Sequence, residues 1–347
     1  MHKKSNPSSF YFVTQESAQY YECSFCCDHA VVLVCEDIKF FITDGRYQTE
    51  AQQYCNSQTQ VRIAHDLFLE LSFILKAQKV KELVFDPLLL SVADYQKLTS
   101  ILKEIRFIPQ DNFHQELRKV KTPQEIEKIA YSQQLNREAF ANFGNFLSEN
   151  MGKSEKELQF LSKTFLTHQG EFNLSFEPIF ALNGNGAKPH ALPESQSVLK
   201  NGDWILFDAG LKYENYCSDM TRCGYFDKGI DFFSPKIHPF HQRLYNIVLK
   251  AKEYAIENLR EGMRAKEVDA LARGVIEKEG YGKYFVHSTG HGIGLDIHEL
   301  PRISPRSEEI ISEGMVFSIE PGIYLPDEIG IRLEDLVVIK NGRAQKL

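Results

Sequence analysis

The run HSTGHGIGLDIHELP, residues 287–301, places three of the chain's 11 histidines within twelve positions, threaded through three glycines. Imidazole serves near neutral pH both as a metal ligand and as a hydrogen-bond donor. Glycine lets one backbone approach another strand closely. The stretch therefore reads as a frame that aims His287, His291 and His298, with His291 set between Gly290 and Gly292. Carboxylate-bearing segments lie on either side of it. In DWILFDAGLKYENYCSDMTRCG an apolar strand ends in Asp208, a turn follows, and the return segment carries Asp219. In GMVFSIEPGIYLPDEIGIRLEDLVVI an apolar strand ends at Glu320 and the returning strand carries Glu334. Alternation puts Glu334 on the strand face of Arg332, with Asp335 facing the other way.

Taken singly, each feature has an ordinary explanation: solvated aspartates on a hairpin, an Arg332–Asp335 ion pair, a histidine satisfied by backbone. Taken together, Asp208, Asp219, Glu320 and Glu334 with one imidazole, His291, form an oxygen-rich and nitrogen-poor set. Such a set suits two divalent ions of intermediate hardness, such as Mn²⁺, Co²⁺ or Fe²⁺, with Zn²⁺ as a further candidate, and does not suit a thiolate site. Two divalent ions cancel the four negative charges. Without them, clustered carboxylates repel one another or take up protons. Two metals about 3.5 Å apart can share a water, lower its pKa toward neutrality and polarise a carbonyl, which is the chemistry of amide hydrolysis. His190, His287 and His298 can then donate hydrogen bonds to a substrate carbonyl or to the tetrahedral oxyanion.

These residues need strands and helices to carry them. The first third alternates apolar runs with amphipathic segments. AVVLVCE (30–36) and IKFFITD (38–44) read as a hairpin joined near Glu36 and Asp37. RYQTEAQQYC, AHDLFLELSFILKAQ and SVADYQKLTSILKEI read as helices, the last capped by Ser91, while ELVFD and RFIPQ read as strands. The pattern predicts a small α/β domain over residues 1–115 and a second domain over 116–347. The second domain opens with two helices marked by capping boxes, Thr122 with Glu125 and Ser154 with Glu157. Helices near 240–260 and 265–279 follow, with strand-rich blocks at 175–226 and 284–340 between and beyond. The coarse order of helix and strand material thus occurs twice, without a residue-level repeat.

Composition narrows the function. A net charge of −7 and a pI near 5.9 argue against nucleic acid or an anionic membrane as partner. No apolar run reaches the length of a bilayer span, and the N-terminal MHKKSNPSSFYFVTQ lacks a signal-peptide core, so the expected location is the cytoplasm. Seven scattered cysteines read as reduced thiols. Cys23-x-x-Cys26 has the spacing of a zinc half-site, but no second pair follows it.

The stretches FDAGLKYENYCSDMTR, HSTGHGIGLDIHELP, EPGIYLP and IRLED, with GNGAKPHALP upstream, occur in one characteristic order and spacing. By them the chain resembles the pita-bread metallopeptidases, and within these the Xaa-Pro aminopeptidase and prolidase branch, over roughly residues 115–345. ITDGRYQTEA is similar to the creatinase-type domain that precedes this branch. The resemblance implies a catalytic domain of two pseudo-symmetric α/β halves around a curved antiparallel sheet, behind a smaller N-terminal α/β domain. It implies that Asp208 chelates one metal, that Asp219 and Glu334 bridge both, and that His291 and Glu320 complete the other. Glu320 would also be the general acid/base, with His190 and His298 handling the substrate and its tetrahedral intermediate. His287 and Arg332 match substrate-binding positions of proline-directed members, and His287 separates this branch from the methionine aminopeptidases.

The implied activity is removal of an N-terminal residue when proline is second, by a hydroxide bridging two metals, in a homodimer. An Xaa-Pro dipeptidase is the alternative. A metal-free binding module on the same fold would have lost ligands, and all five are present. Three departures stand out. The helix expected ahead of the first strand is missing. YFDKGIDFFSPKIHPFHQRLY (225–245) is long and aromatic, and reads as a lid or an interface. Cys217 and Cys223 flank Asp219, where their oxidation would disturb the site.

Overall fold

The structure is a computed structural model that describes residues 10–347. The chain divides into two compact units, Met1–Leu117 and Arg118–Leu347. Among the described residues, no helix is long and apolar enough to cross a membrane.

The first unit contains strands β1 (Phe10–Val13), β2 (Ala30–Cys35), β3 (Ile38–Thr43), β4 (Thr59–Ile63), β5 (Glu82–Phe85) and β6 (Arg106–Pro109). They form one sheet in the order β4-β3-β2-β1-β5-β6. β1, β2 and β3 pair antiparallel, and β4, β5 and β6 run parallel to their neighbours. The β2–β3 hairpin turns through Glu36 and Asp37, where Cys35 faces Ile38 and Glu36 adopts φ 52°. Four helices, α1 (Glu16–Cys23), α2 (Gln48–Tyr54), α3 (Leu67–Ala77) and α4 (Val92–Ile101), cover the sheet, and α5 (Phe113–Arg118) leads into the second unit.

β2 is an unbroken apolar run because both of its faces are covered. Val31, Leu33 and Cys35 pack with Leu71, Leu75 and Leu98, while Ala30, Val32 and Val34 pack with Ala18, Cys23 and Ala51. Ser91 caps α4 by accepting from the Asp94 N–H, as the sequence predicts. α1 is not legible in the sequence because its buried face includes the polar Gln19 and Glu22. Edge strand β4 is equally hidden, being largely exposed and polar. The helix expected to be missing ahead of the first strand concerns residues outside the described range.

The second unit shows the helix–sheet order twice. α6 (Pro123–Leu147) and α7 (Glu155–Leu166) begin at the two capping boxes, both of which form. Next come β7 (Asn173–Leu174), β8 (Ile179–Leu182), β9 (Trp204–Ala209), β10 (Leu211–Tyr213), β11 (Tyr216–Cys217) and β12 (Met220–Tyr225). β12, β9 and β8 form one antiparallel sheet; β11, β10 and β7 form another. The second pass has α8 (Pro239–Asn258), α9 (Ala265–Lys278), β13 (Gly290–Gly292), β14 (Glu299–Ile303), β15 (Val316–Ile319), β16 (Gly322–Leu325), β17 (Ile329–Arg332), β18 (Asp335–Lys340) and β19 (Arg343–Lys346). Its antiparallel sheet runs β14-β13-β15-β18-β19, with β16–β17 as a separate hairpin.

Each half has its own apolar core, and β9 belongs to both. Ile205 and Phe207 face the core under α6, with Phe140, Phe143 and Phe180. Trp204 and Leu206 face the core under α8 and α9, with Val248, Val268 and Phe317. The aromatic segment 225–245, read from the sequence as a lid or an interface, is partly core, while Phe233 and Phe240 stay exposed. Phe226 and Phe232 are buried in the first core, and Phe232 packs against Phe140 and Phe207 at ring separations of 5.6 Å.

Phe143 is 1% exposed and touches four aromatic rings, so Phe143→Ala is expected to cost about 3–5 kcal/mol in denaturant unfolding of the whole chain. Phe160→Ala, at a position 68% exposed, is expected to change stability by less than about 0.5 kcal/mol.

Candidate metal centre

The first carboxylate pair is held from behind by α6. Asp208 lies near the end of β9, opposite Thr221 of β12, and Asp219 immediately precedes β12. The buried Gln133 amide clamps Asp219 on both sides. Its Oε1 accepts the Asp219 N–H at 3.2 Å and its Nε2 donates to the Asp219 carbonyl at 2.9 Å. One turn on, Asn136 donates to the Ala209 carbonyl at 2.8 Å, and Ser132 donates to that of Leu211 at 3.0 Å. A helix whose inward face carries these amides and a hydroxyl therefore fixes both strands of the hairpin.

The histidine run is framed in a similar way by α9. Asp269, 1% exposed, accepts from both the N–H and the hydroxyl of Thr289 and forms a two-point pair with Arg273. Arg273 in turn donates to the carbonyls of Phe285 and His287. The Thr289 carbonyl accepts the Glu320 N–H at 2.8 Å, which ties the histidine run to the second carboxylate strand. Glycine is required here because the backbones nearly touch. A Cβ on Gly290 would lie 1.9 Å from the Ser318 carbonyl oxygen, and one on Gly292 would lie 2.2 Å from that of Leu300.

Glu320 sits one residue past β15. Glu334 occupies the break between β17 and β18, not a regular strand position as the alternation pattern predicts. Its N–H reaches across to the Thr221 carbonyl at 3.2 Å, which draws the backbone out of the ladder. The ordinary alternative, an Arg332–Asp335 ion pair, is not the pairing found. Asp335 is held by Arg222 and Lys252, which keep its carboxyl below the usual carboxylate range against the cost of burial. Arg332 turns the other way, to Asp208.

These elements bring the five residues singled out in the sequence into one cluster. Ligand atoms of Asp219, His291 and Glu334 lie within 4.8 Å of one another. His291 Nε2 is 3.5 Å from Asp219 Oδ2 and 3.3 Å from Glu320 Oε1. Asp208 lies within electrostatic reach of Asp219, Glu320 and Glu334. Burial, with Asp208 and Glu320 nearby, raises the Asp219 carboxyl well above the usual carboxylate range. Burial and Asp219 do the same to Glu334, and burial raises Glu320 against the pull of His291 and Arg332. Asp208 Oδ1, Asp219 Oδ1 and Glu334 Oε1 are buried with no hydrogen-bond partner. Leaving such atoms unpaired is costly, and divalent cations would satisfy all three. The imidazole fits as well. His291 Nδ1 lies 3.1 Å from the Gly292 carbonyl and must donate to it, so the lone pair is on Nε2, the nitrogen that faces the carboxylates.

The surrounding residues separate into two groups. His298 stacks edge-on against His291 at 4.4 Å, and desolvation together with His291 pushes its pKa down to about 4. His190 is exposed on its loop, within electrostatic reach of His287 and His298. Its loop is anchored by buried Glu155, which accepts from the Leu182 and Glu194 N–H groups and from Asn185. His287 and Arg332 are engaged with the protein. His287 Nδ1 donates to the Ser288 carbonyl, so its Nε2 accepts from the Tyr324 hydroxyl at 2.8 Å. Arg332 donates to Tyr324, Pro189, Thr221 and Asp208. Burial, followed by the Arg332 charge, holds the His287 pKa down to about 3. Tyr324 links these two residues but escapes the sequence reading; its place in EPGIYLP, four residues after Glu320, is the available signal.

All seven cysteines are free thiols. Among the described residues, the only cluster of His, Cys, Asp or Glu with metal-site spacing is Asp219, His291 and Glu334, so Cys23 and Cys26 do not form one. Cys217 and Cys223 are fully buried with pKa values pushed up to about 12 by desolvation, which disfavours the thiolate through which oxidation proceeds.

Residues 127–341 match metallopeptidase family M24, and residues 3–120 match the creatinase/prolidase N-terminal domain. An uncharacterised peptidase of Bacillus subtilis is 29% identical over 95% of this chain and 91% of its own length. The Xaa-Pro dipeptidase of Pyrococcus furiosus is 37% identical over 74% of this chain and 67% of its own. The crystal structure of X-Pro aminopeptidase from Thermotoga maritima superposes with a TM-score of 0.86 at 30% identity, covering 97% of this chain and 94% of that one. Xaa-Pro dipeptidase from Bacillus anthracis does so with a TM-score of 0.88 at 31% identity, covering 97% and 92%.

A raised carboxyl pKa means that the native state holds its proton more tightly than the unfolded chain does. For Asp219, Glu320 and Glu334 this contribution is present below the unfolded pKa of about 4 and is lost as pH rises through the native values. Divalent ions replace those protons. The rise in melting temperature on adding Mn²⁺ to metal-free protein is therefore expected to be larger at pH 8 than at pH 5.5. Thermal melts at both values check this, and an equal rise at each contradicts it.

Proposed function

The chain belongs to metallopeptidase family M24, and from that premise we propose that it removes the N-terminal residue of peptides whose second residue is proline. The observation that carries this reading is the convergence of four carboxylates and one correctly oriented imidazole, with three carboxylate oxygens buried and unpartnered. The family binds divalent metals. In our reading two ions would be held here, Asp208 serving one, His291 and Glu320 the other, and Asp219 and Glu334 both. Mn²⁺ is the preferred metal, supported by the oxygen-rich donor set. Bound there, the pair of ions supplies Lewis acidity and an activated water at neutral pH.

The protein's own groups do the rest. Glu320 accepts the proton of the attacking water and passes it to the leaving nitrogen. His298 and His190 donate hydrogen bonds to the substrate carbonyl as it becomes an oxyanion. His287 acts differently from a donor, because both of its nitrogens are occupied. With Tyr324 and Arg332 it forms a fixed wall whose shape bounds the substrate. Arg332 also holds Asp208 in place through a contact of 2.6 Å. The reading extends to a cytoplasmic homodimer, and the reduced thiols support that location.

An Xaa-Pro dipeptidase uses the same residues and differs only in the room beyond the proline. The two are separated by comparing Mn²⁺-loaded protein on an Xaa-Pro dipeptide, a longer Xaa-Pro peptide and a Met-Ala peptide. Cleavage of the longer Xaa-Pro peptide is expected. Cleavage of the dipeptide alone assigns the dipeptidase, and turnover of none, with no bound metal, removes the peptidase reading. Glu320→Gln is expected to lose at least about 100-fold in kcat, the lower range for a positioned acid/base. Near-wild-type turnover would take Glu320 out of the proton relay.

A further inference from the structure

We infer that Thr221 and Ser318 are positioning residues, one hydroxyl in each half, that fix which oxygen of Glu334 and of Glu320 is presented to the cations. The inference rests on the metal-centre reading above. Thr221 lies on β12 and Ser318 on β15, and both are fully buried. Each hydroxyl stands between one fixed N–H donor and one glutamate. Arg332 Nε donates to Thr221 Oγ1 at 3.0 Å, and Thr221 Oγ1 lies 2.8 Å from Glu334 Oε2. The backbone N–H of His291 donates to Ser318 Oγ at 3.0 Å, and Ser318 Oγ lies 3.0 Å from Glu320 Oε1.

The direction of each hydrogen bond follows from these partners. A hydroxyl has one proton. The guanidinium and the amide can only donate, so each hydroxyl accepts from them and its proton goes to the carboxylate. Glu334 Oε2 is thereby engaged, while Glu334 Oε1 is left buried and unpartnered, aimed at the cluster. At Glu320 the engaged oxygen is itself the one that faces the cluster: Oε1 accepts from Ser318 and lies 3.3 Å from His291 Nε2, so here the hydroxyl fixes the presented oxygen directly.

A glutamate side chain has several rotatable bonds, and four mutually repelling carboxylates would spread apart if free to do so. A donor on one oxygen removes that freedom at the two ligands with the longest side chains. The device also links ligands across the halves. Asp208, Arg332, Thr221 and Glu334 form a continuous chain of hydrogen bonds, as do His291, Ser318 and Glu320. The close approach at Gly290 is what lets Ser318 Oγ reach the His291 N–H, since a Cβ there would meet Ser318 at 1.9 Å.

The test is calorimetric titration of the metal-free full chain with Mn²⁺, for wild type, Thr221→Val, Thr221→Ser, Ser318→Ala and Ser318→Thr. Valine keeps the shape of threonine and removes the proton. Thr221→Val and Ser318→Ala are each expected to weaken Mn²⁺ binding about 10–100-fold, and Thr221→Ser and Ser318→Thr to restore it to within a few-fold. A residue that only packs would not show rescue by the hydroxyl alone. Ser318→Ala adds no bulk and carries the test by itself if Thr221→Val does not fold. Wild type that binds Mn²⁺ beside Thr221→Val and Ser318→Ala of equal affinity overturns this inference and leaves the metal-centre reading intact. Wild type that binds no divalent ion overturns that reading, and this inference with it.

Discussion

Four carboxylates held close together in a buried place repel one another, and the second unit of this protein is organised around resisting that repulsion. The usual responses are to separate, to hydrate or to bind protons. Separation is blocked because the backbone at three of the four, Asp219, Glu320 and Glu334, is fixed from behind. Gln133 clamps Asp219, Asp269 reaches Glu320 through Thr289, and the Glu334 N–H is tied to the Thr221 carbonyl. Hydration is blocked by burial. What remains is uptake of positive charge, as protons or, in the reading proposed above, as divalent ions.

The two-fold order of helix and sheet provides the stiffness for this. Each half has its own apolar core, and β9 is buried on both faces because it borders the two. The polar anchors sit on helices, α6 and α9, whose other faces are committed to those cores. A shift of either helix would expose apolar surface at about 25 cal/mol per Å², so the clamps are stiff because the hydrophobic packing behind them is. Buried charge on the far side of Glu334 is handled separately, with Arg222 and Lys252 neutralising Asp335, so it adds nothing to the crowding at the metal centre.

The groups around the centre divide the remaining tasks by how many of their polar atoms are already occupied. Tyr324, His287 and Arg332 satisfy one another and neighbouring carbonyls, so they act through shape and by holding Asp208. His298 and His190 lie on exposed positions beside them and keep donor capacity for a ligand.

The sequence by itself determined the local structure and the identity of the chemistry. Both capping boxes, the Ser91 cap and the Glu36–Asp37 hairpin were legible, because caps, turns and apolar runs are set by residues a few positions apart; Asp208, Asp219, His291, Glu320 and Glu334 were legible by residue type and by the order of the motifs that carry them. Helix α1 was not, since Gln19 and Glu22 face inward and break its apolar stripe. Nor was the 225–245 segment, whose rings have a purpose only once Phe140 and Phe207 stand opposite them. Only the tertiary structure decided that Glu334 leaves the strand ladder, that Arg332 meets Asp208 instead of Asp335, and that Gln133, Tyr324, Thr221 and Ser318 belong to the site. Each of these depends on a hydrogen bond whose partners come from different elements, and chain spacing carries no record of such a meeting until apolar packing has brought the two halves together.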